Sequence, residues 1–116
     1  MNSAKKYIDE DDVYHLRQLN DLHTYLKTGC TIFDNYPLNF TDMTLIQYAI
    51  YKCKPAVLKD MLEISFSQCL MPLESILNPI GSNTKGHLIN LAIEFSQKDD
   101  KKKYDIRCIE VIFNFA

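Results

Sequence analysis

The sequence predicts an all-α protein built from short helices that pack in pairs. Apolar residues recur at helical spacing, helix-start and helix-stop residues stand at matching places, and one eight-residue pattern occurs twice. Residues 43–50 and 86–93 agree at Leu, Ile, Ala and Ile in the same order. Such an internal repeat is typical of units stacked side by side, so we expect the two octets to form equivalent helices in neighbouring units.

Composition limits the classes of function. The chain of 116 residues is long enough for one domain, and 47% hydrophobic residues with 24% charged residues indicate a buried core. A formal net charge of −2 argues against a nucleic-acid-binding surface. The sequence contains neither a secretion signal nor a run near the ~18 apolar residues of a membrane span. We expect an intracellular protein, cytoplasmic or nuclear, with no nucleic-acid or membrane partner.

The cysteines and histidines do not form a recognisable site. Cysteines 30, 53, 69 and 108 contain no C-x-x-C pair and have no histidine at ligand spacing, so we interpret them as reduced, mostly buried thiols. Glycine-rich phosphate loops, the zinc-protease motif and the nucleophile elbow are absent from the sequence. A Cys–His nucleophilic pair stays open, but we predict no catalytic residue, metal, cofactor or small-molecule substrate.

The N-terminal third predicts two helices. Residues 1–8 are expected to be a loose start, and the acidic run of residues 9–12 marks a helix N-terminus, where carboxylates are favourable. The first helix should run from about Asp11 to Leu19. The second should run from about Asn20 or Asp21 to Lys27 and stop at Gly29. We interpret the acidic run as a solvated cap; the alternative is a docking site for a basic partner.

The stretch from residue 39 to residue 62 predicts a helix pair. Thr44 followed three residues later by Gln47 is a capping box, and the helix that follows is apolar almost all round. Cys53 and Lys54 form the break, and Pro55 suits the first position of the next helix. One apolar stripe then follows at helical spacing: Val57, Leu58, Met61 and Leu62.

The remainder predicts an insertion and a last helix pair. The insertion, residues 65–85, contains a short helix at 72–77 and a loop at 81–83. The last unit, residues 86–115, has His87 in place of the capping threonine and ends in a helix from about Tyr104 or Asp105 to Phe115. Apolar residues cover that helix widely, which indicates a fragment of a longer array or an end covered by another chain.

The stretch 39–62 resembles an ankyrin repeat in spacing and residue class. Its first helix matches the family pattern at Thr44, Ile46, Gln47 and Ala49. Its second helix matches at Val57, Leu58, Met61 and Leu62. It departs from the pattern at Leu45, Ile50 and Cys53.

This resemblance implies a short ankyrin-like solenoid of stacked antiparallel helix pairs with long insertions between repeats. Residues 1–116 would then be a single domain, with an N-terminal capping repeat at 9–30, a central repeat at 39–64 and the last repeat at 86–115. Residues 31–43 would form a β-hairpin finger between the first two repeats.

The resemblance also implies a non-catalytic protein–protein interaction module, a scaffold or adaptor that binds a partner protein through its concave face and finger loops. The implied contact residues are Phe40, Thr41, Met43, Tyr51, Lys52 and Glu94. The alternative for Phe40, Met43 and Phe95 is that they pack inside the stack. A second hypothesis is homodimerisation through the apolar last helix, using Ile109, Ile112 and Phe113. A small helical enzyme is the third.

Overall fold

The computed structural model describes residues 2–29, 31–33, 42–78, 87–96 and 106–115. Within these residues the elements follow in this order: α1 Asn2–Asp9, α2 Val13–Arg17, α3 Leu22–Thr28, β1 Thr31–Phe33, β2 Asp42–Thr44, α4 Leu45–Tyr51, α5 Pro55–Ser67, α6 Leu73–Leu77, α7 Leu88–Ser96 and α8 Arg107–Phe115. Helices dominate, and the strands form one short antiparallel pair. The predicted all-α class is confirmed.

The central helix pair forms as its sequence predicts. Thr44 Oγ1 accepts a hydrogen bond from the Gln47 amide at 3.2 Å, and Gln47 Oε1 accepts one from the Thr44 amide at 2.9 Å. This capping box satisfies two donors at the start of α4. After α4, Cys53 takes a left-handed backbone with φ +56°, and Pro55 begins α5. The predicted stripe on α5 is fully buried.

The helices pack in three adjoining layers. Helix α4 contacts α1 on one side and α7 on the other, while α5 contacts α2, α3 and α8. Residues 45–50 and 88–93 of the two octets therefore lie in neighbouring helices. Ala49 is 0% exposed and Ala92 3% exposed. All seven residues of α4 are buried because this helix has neighbours on both sides.

The expectation of a loose start was wrong. Residues 2–9 form α1, whose Ala4 and Ile8 are buried in the core. These residues are one helical turn apart, so they lie on the same face of α1. The first layer therefore contains α1 as well as the two helices predicted for residues 9–30. Helix α3 ends as predicted, with Gly29 in the left-handed conformation.

Three carboxylates of the acidic run make specific contacts rather than merely facing water. Asp9 Oδ1 accepts a hydrogen bond from the Tyr48 hydroxyl at 2.5 Å, which connects α1 to α4. Asp11 Oδ1 accepts one from the Val57 amide at 3.1 Å, so it caps α5 from a distant part of the chain. Asp12 caps α2 through the His15 amide. The solvated-cap interpretation therefore describes only part of this run.

The Asp12 cap should make stability pH-dependent. Its hydrogen bond from the His15 amide, with further contributions from the His15 side chain, holds the pKa of Asp12 below its ordinary 3.8. A carboxyl group whose pKa is lowered by folding stabilises the fold above its unfolded pKa, and this contribution is lost as pH falls through the folded value. We expect the stability advantage of the native protein over Asp12→Ala to be constant above about pH 5 and to shrink below pH 4. Urea unfolding of both proteins from pH 7 to pH 2.5 measures this difference in stability. An advantage that persists unchanged at the lowest pH contradicts the prediction.

A third long-range contact connects α2 to α5. The Arg17 guanidinium donates to both carboxylate oxygens of Asp60, with Nε 2.9 Å from each. Asp60 is only 5% exposed, so its charge would be costly without a partner. The same contact raises the pKa of Arg17 above its ordinary value.

The remaining elements follow the sequence closely where the structure describes them. Strand β1 pairs antiparallel with β2, Ile32 opposite Met43, where the resemblance implies a hairpin. Helix α6 confirms the short helix expected at 72–77, whereas the loop at 81–83 lies outside the described residues. His87 Nδ1 accepts a hydrogen bond from the Ile89 amide at 3.0 Å, so the His87 side chain satisfies a backbone donor at the start of α7. The expected start of the last helix at 104–105 also lies outside the described residues.

Candidate interaction surface

Two of the residues predicted to contact a partner are buried. Met43 on β2 is 0% exposed, and Tyr51 at the end of α4 is 5% exposed. The Tyr51 ring packs edge to face against Phe95 of α7, with centroids 5.0 Å apart. Both side chains are used in packing α4 between its neighbours, so the prediction that they contact a partner is corrected. Phe40 and Thr41 lie outside the described residues.

The other two predicted contact residues are charged and reach the surface. Lys52 is half-buried, and its Nζ lies 5.2 Å from the Tyr51 ring centroid and 5.7 Å from that of Tyr48. At such distances the ammonium group is attracted to the ring faces. Glu94 on α7 is exposed. The described part of the predicted contact set therefore offers a partner charged groups instead of apolar anchors.

Apolar side chains are exposed at another place, on the outer side of the last helix pair. We call this surface the end face; it comprises Ile89, Ile93, Ile106, Ile109 and Phe113. Ile93 is 44% exposed, Ile106 50% and Phe113 74%. Ile89 and Ile109 are half-buried and pack against the core. The end face thus adjoins the core through Ile89 and Ile109.

Helical periodicity explains why the predicted self-association residues lie on different faces of α8. Cys108 and Ile112, four residues apart on α8, point into the core and are 3% and 0% exposed. Phe113 is one position further round the helix and points outward. The prediction that Ile112 contacts a second copy is therefore corrected, because its side chain already packs within the chain. Ile109 and Phe113 remain part of the end face.

The repeated octet shows why the end face is uncovered. Ile50 in the first octet corresponds to Ile93 in the second, yet Ile50 is 0% exposed and Ile93 is 44% exposed. Helix α4 is covered on both sides, by α1 and α7. No further helix of the described residues covers the equivalent position on α7. The octet alignment relates Ile93 to Ile50, but the sequence does not show which of the two is covered, because that depends on the neighbours of each helix.

Exposed apolar residues also occur at two other places. Tyr14 on α2 is 69% exposed among polar neighbours at the N-terminal end. Phe66, Leu70 and Leu73, around the α5–α6 connection, are 46%, 80% and 39% exposed. The Phe66 ring packs edge to face on Phe115, 6.1 Å away between centroids. The end face is therefore one of two sets of exposed apolar side chains in the described residues, the other lying around the α5–α6 connection.

The polar chemistry that the structure describes is structural in character. His15 Nδ1 lies 2.6 Å from an Asp12 carboxylate oxygen, and His23 Nε2 lies 2.9 Å from Gln68 Oε1. Cys69 and Cys108 are buried thiols and Cys53 is half-buried. Across the described residues no group of three His, Cys, Asp or Glu side chains is placed to hold a metal ion. Nor does any described helix combine the length and apolarity that crossing a bilayer requires.

No protein-family model, curated protein or solved structure matches this chain. The ankyrin resemblance therefore rests on the sequence pattern alone.

Proposed function

We propose that this protein is a non-catalytic protein–protein interaction module, with an ankyrin-like stack of helix pairs as its scaffold. The proposal is supported by the neighbouring positions of the two octets and by the apolar end face on α7 and α8. The contact surface proposed here is the end face, because the residues expected on the inner face are partly buried or charged.

The main support for the proposal is the difference in exposure between Ile50 and Ile93. One position of the repeat is fully covered inside the chain, and its equivalent is left open. Burying a large apolar side chain contributes about 1.5–3 kcal/mol, so covering Ile93, Ile106 and Phe113 offers a partner substantial binding free energy. Aromatic residues at the centre of an interface are common binding hot spots, which makes Phe113 the expected anchor.

A second copy of the chain is the other candidate partner. The end face is apolar, whereas the exposed residues on α1 and in the turn that follows it include Ser3, Lys6 and Glu10. Head-to-tail stacking would place apolar side chains against this polar surface. A symmetric contact of two end faces instead matches apolar with apolar, and a twofold axis closes the assembly as a dimer.

Replacing Phe113 with aspartate should abolish association through the end face. A carboxylate in the apolar contact would have to lose its hydration without gaining a partner. Light scattering coupled to size exclusion, over a series of protein concentrations, measures the mass. If the chain dimerises, its mass should rise with concentration, Phe113→Asp should stay monomeric, and the control Tyr14→Asp, which changes an aromatic residue of similar exposure, should follow the native protein.

The same pair of positions tests binding to a different protein. A photo-crosslinking residue at position 113 should capture a specific partner that the same residue at position 14 does not, and Ile93→Asp should remove that crosslink. A chain that is monomeric at all concentrations excludes self-association. If position 113 also crosslinks no more than position 14, the proposed interaction module is contradicted.

A further inference from the structure

A half-open cavity of about 220 Å³ lies among α3, the start of α4 and α6, separate from the end face. Its walls are largely apolar, with buried or half-buried side chains from all three helices and from Met71, just before α6. These apolar lining residues are Tyr25, Leu26, Leu45, Ile46, Met71 and Ile76. The buried lining residues belong to the core, so the fold itself shapes the cavity.

The volume of the cavity suits one large side chain. An apolar protein cavity of about 150 Å³ holds a benzene molecule. Most sites for drug-sized ligands are larger, at about 300–1,000 Å³. The cavity therefore has room for a phenyl or leucyl group and the first backbone atoms attached to it, but not for a large cofactor.

The charge at the cavity has a single sign, which is positive. Among the described residues that line it, Lys27 is the charged one, and no carboxylate is present. Lys27 is exposed near the end of α3, so its ammonium group remains hydrated at the surface while the apolar walls lie deeper. A negative group beside a bound apolar side chain would thus be attracted, and a positive group repelled.

We propose that this cavity binds one phenylalanine- or leucine-sized side chain of a partner protein, with an acidic residue next to it in the partner's sequence. The inference rests on the proposed function and adds to it a second contact with a defined chemistry. The apolar side chain fills the cavity, and the acidic neighbour pairs with Lys27.

Three blocked tetrapeptides test the proposal: acetyl-Gly-Phe-Asp-Gly-amide and the same peptide with Asn or Lys in place of Asp. Titration into isotope-labelled protein, followed by amide NMR shifts, should show saturable changes at Gly29 and Ile46, which line the cavity, and none at Phe113. An exposed ion pair contributes modestly, so we expect the Asp peptide to bind about threefold more tightly than the Asn peptide. The Lys peptide should bind most weakly.

Substitutions of exposed residues separate the two parts of the site without disturbing the core. Lys27→Met keeps an apolar stem but removes the charge, so the Asp and Asn peptides should then bind equally. Ser75→Trp places a large ring at the exposed lining of the cavity and should abolish binding of all three peptides. Ser67→Trp, at an exposed serine on α5, is the matched control and should leave binding unchanged.

The proposal is overturned if no peptide shifts the amides at the cavity, or if the charge of the neighbouring residue has no effect. It is also overturned if free phenylacetate binds while the blocked peptides do not, since the site would then take a small acid rather than a protein segment. Because association through the end face is measured without peptide, either proposal can fail while the other stands.

Discussion

Replacing Ile112 with alanine should lower the free energy of unfolding by about 2–5 kcal/mol, as expected for an isoleucine truncated in a packed core. Ile112 is 0% exposed and packs where α8 meets its neighbours, so its removal leaves a cavity. Since small domains have only about 5–15 kcal/mol of stability, the loss would be a large fraction of the total. Urea unfolding followed by circular dichroism measures it.

The next residue supplies the control. Phe113 is 74% exposed, and truncating a surface side chain usually changes stability by about 0.5 kcal/mol or less. The sequence pattern predicts both residues to take part in self-association, whereas the structure assigns Ile112 to the core and Phe113 to the surface. Equal losses of stability in Ile112→Ala and Phe113→Ala would contradict this assignment.

Ile8→Ala should also cost about 2–5 kcal/mol of stability, although the residue lies in a segment that the sequence suggested was a loose start. The Ile8 side chain is 0% exposed in the core formed with α1. Lys6→Ala, two positions away on the exposed side of α1, should change the unfolding free energy little. Both changes keep the length of the chain, so chemical denaturation compares them directly.

A loose N-terminus would give a different result. Ile8→Ala would then match Lys6→Ala, and amide hydrogens in residues 4–9 would exchange at the rates of an unstructured peptide. Either observation would remove α1 from the core.

Local signals in the sequence predicted much of the helical structure. The Thr44–Gln47 capping box, Pro55 at a helix start and Gly29 at a helix end each act over a few residues, so they could be identified without knowing the fold. The repeated octet predicted that α4 and α7 would be neighbours, because equivalent units stack in register.

The missed features depend on contacts between distant parts of the chain. Helix α1 has only a short apolar face, Ala4, Tyr7 and Ile8, and its stability comes from packing against α2 and α4. The partners Arg17 and Asp60 are 43 positions apart and belong to no repeated pattern, so nothing in the sequence indicates that they meet. The family resemblance predicts Tyr51 at the surface, but it does not indicate that α4 is enclosed on both sides.

For the candidate site, the sequence predicts the last helix and two of its residues, Ile109 and Phe113, but not Ile89 and Ile93 on α7. The wide apolar coverage of the last helix indicates a fragment of a longer array or an end covered by another chain, and the structure places Ile106 and Phe113 at the surface. Which apolar residues turn inward depends on where α5 and α7 lie, and this requires the packed structure. The inner face, by contrast, was expected from the family resemblance, which fixes positions in a repeat but not their burial in this chain.

The contact between Asp11 and Val57 has a consequence for cooperativity. The first amides of a helix need acceptors, and here α5 obtains one from the connection that follows α1, 46 positions earlier in the chain. The N-terminal layer and the central layer are therefore coupled: when one opens, the other loses part of its own helix terminus. Such reciprocal dependence favours all-or-none unfolding over stepwise fraying from the N-terminus.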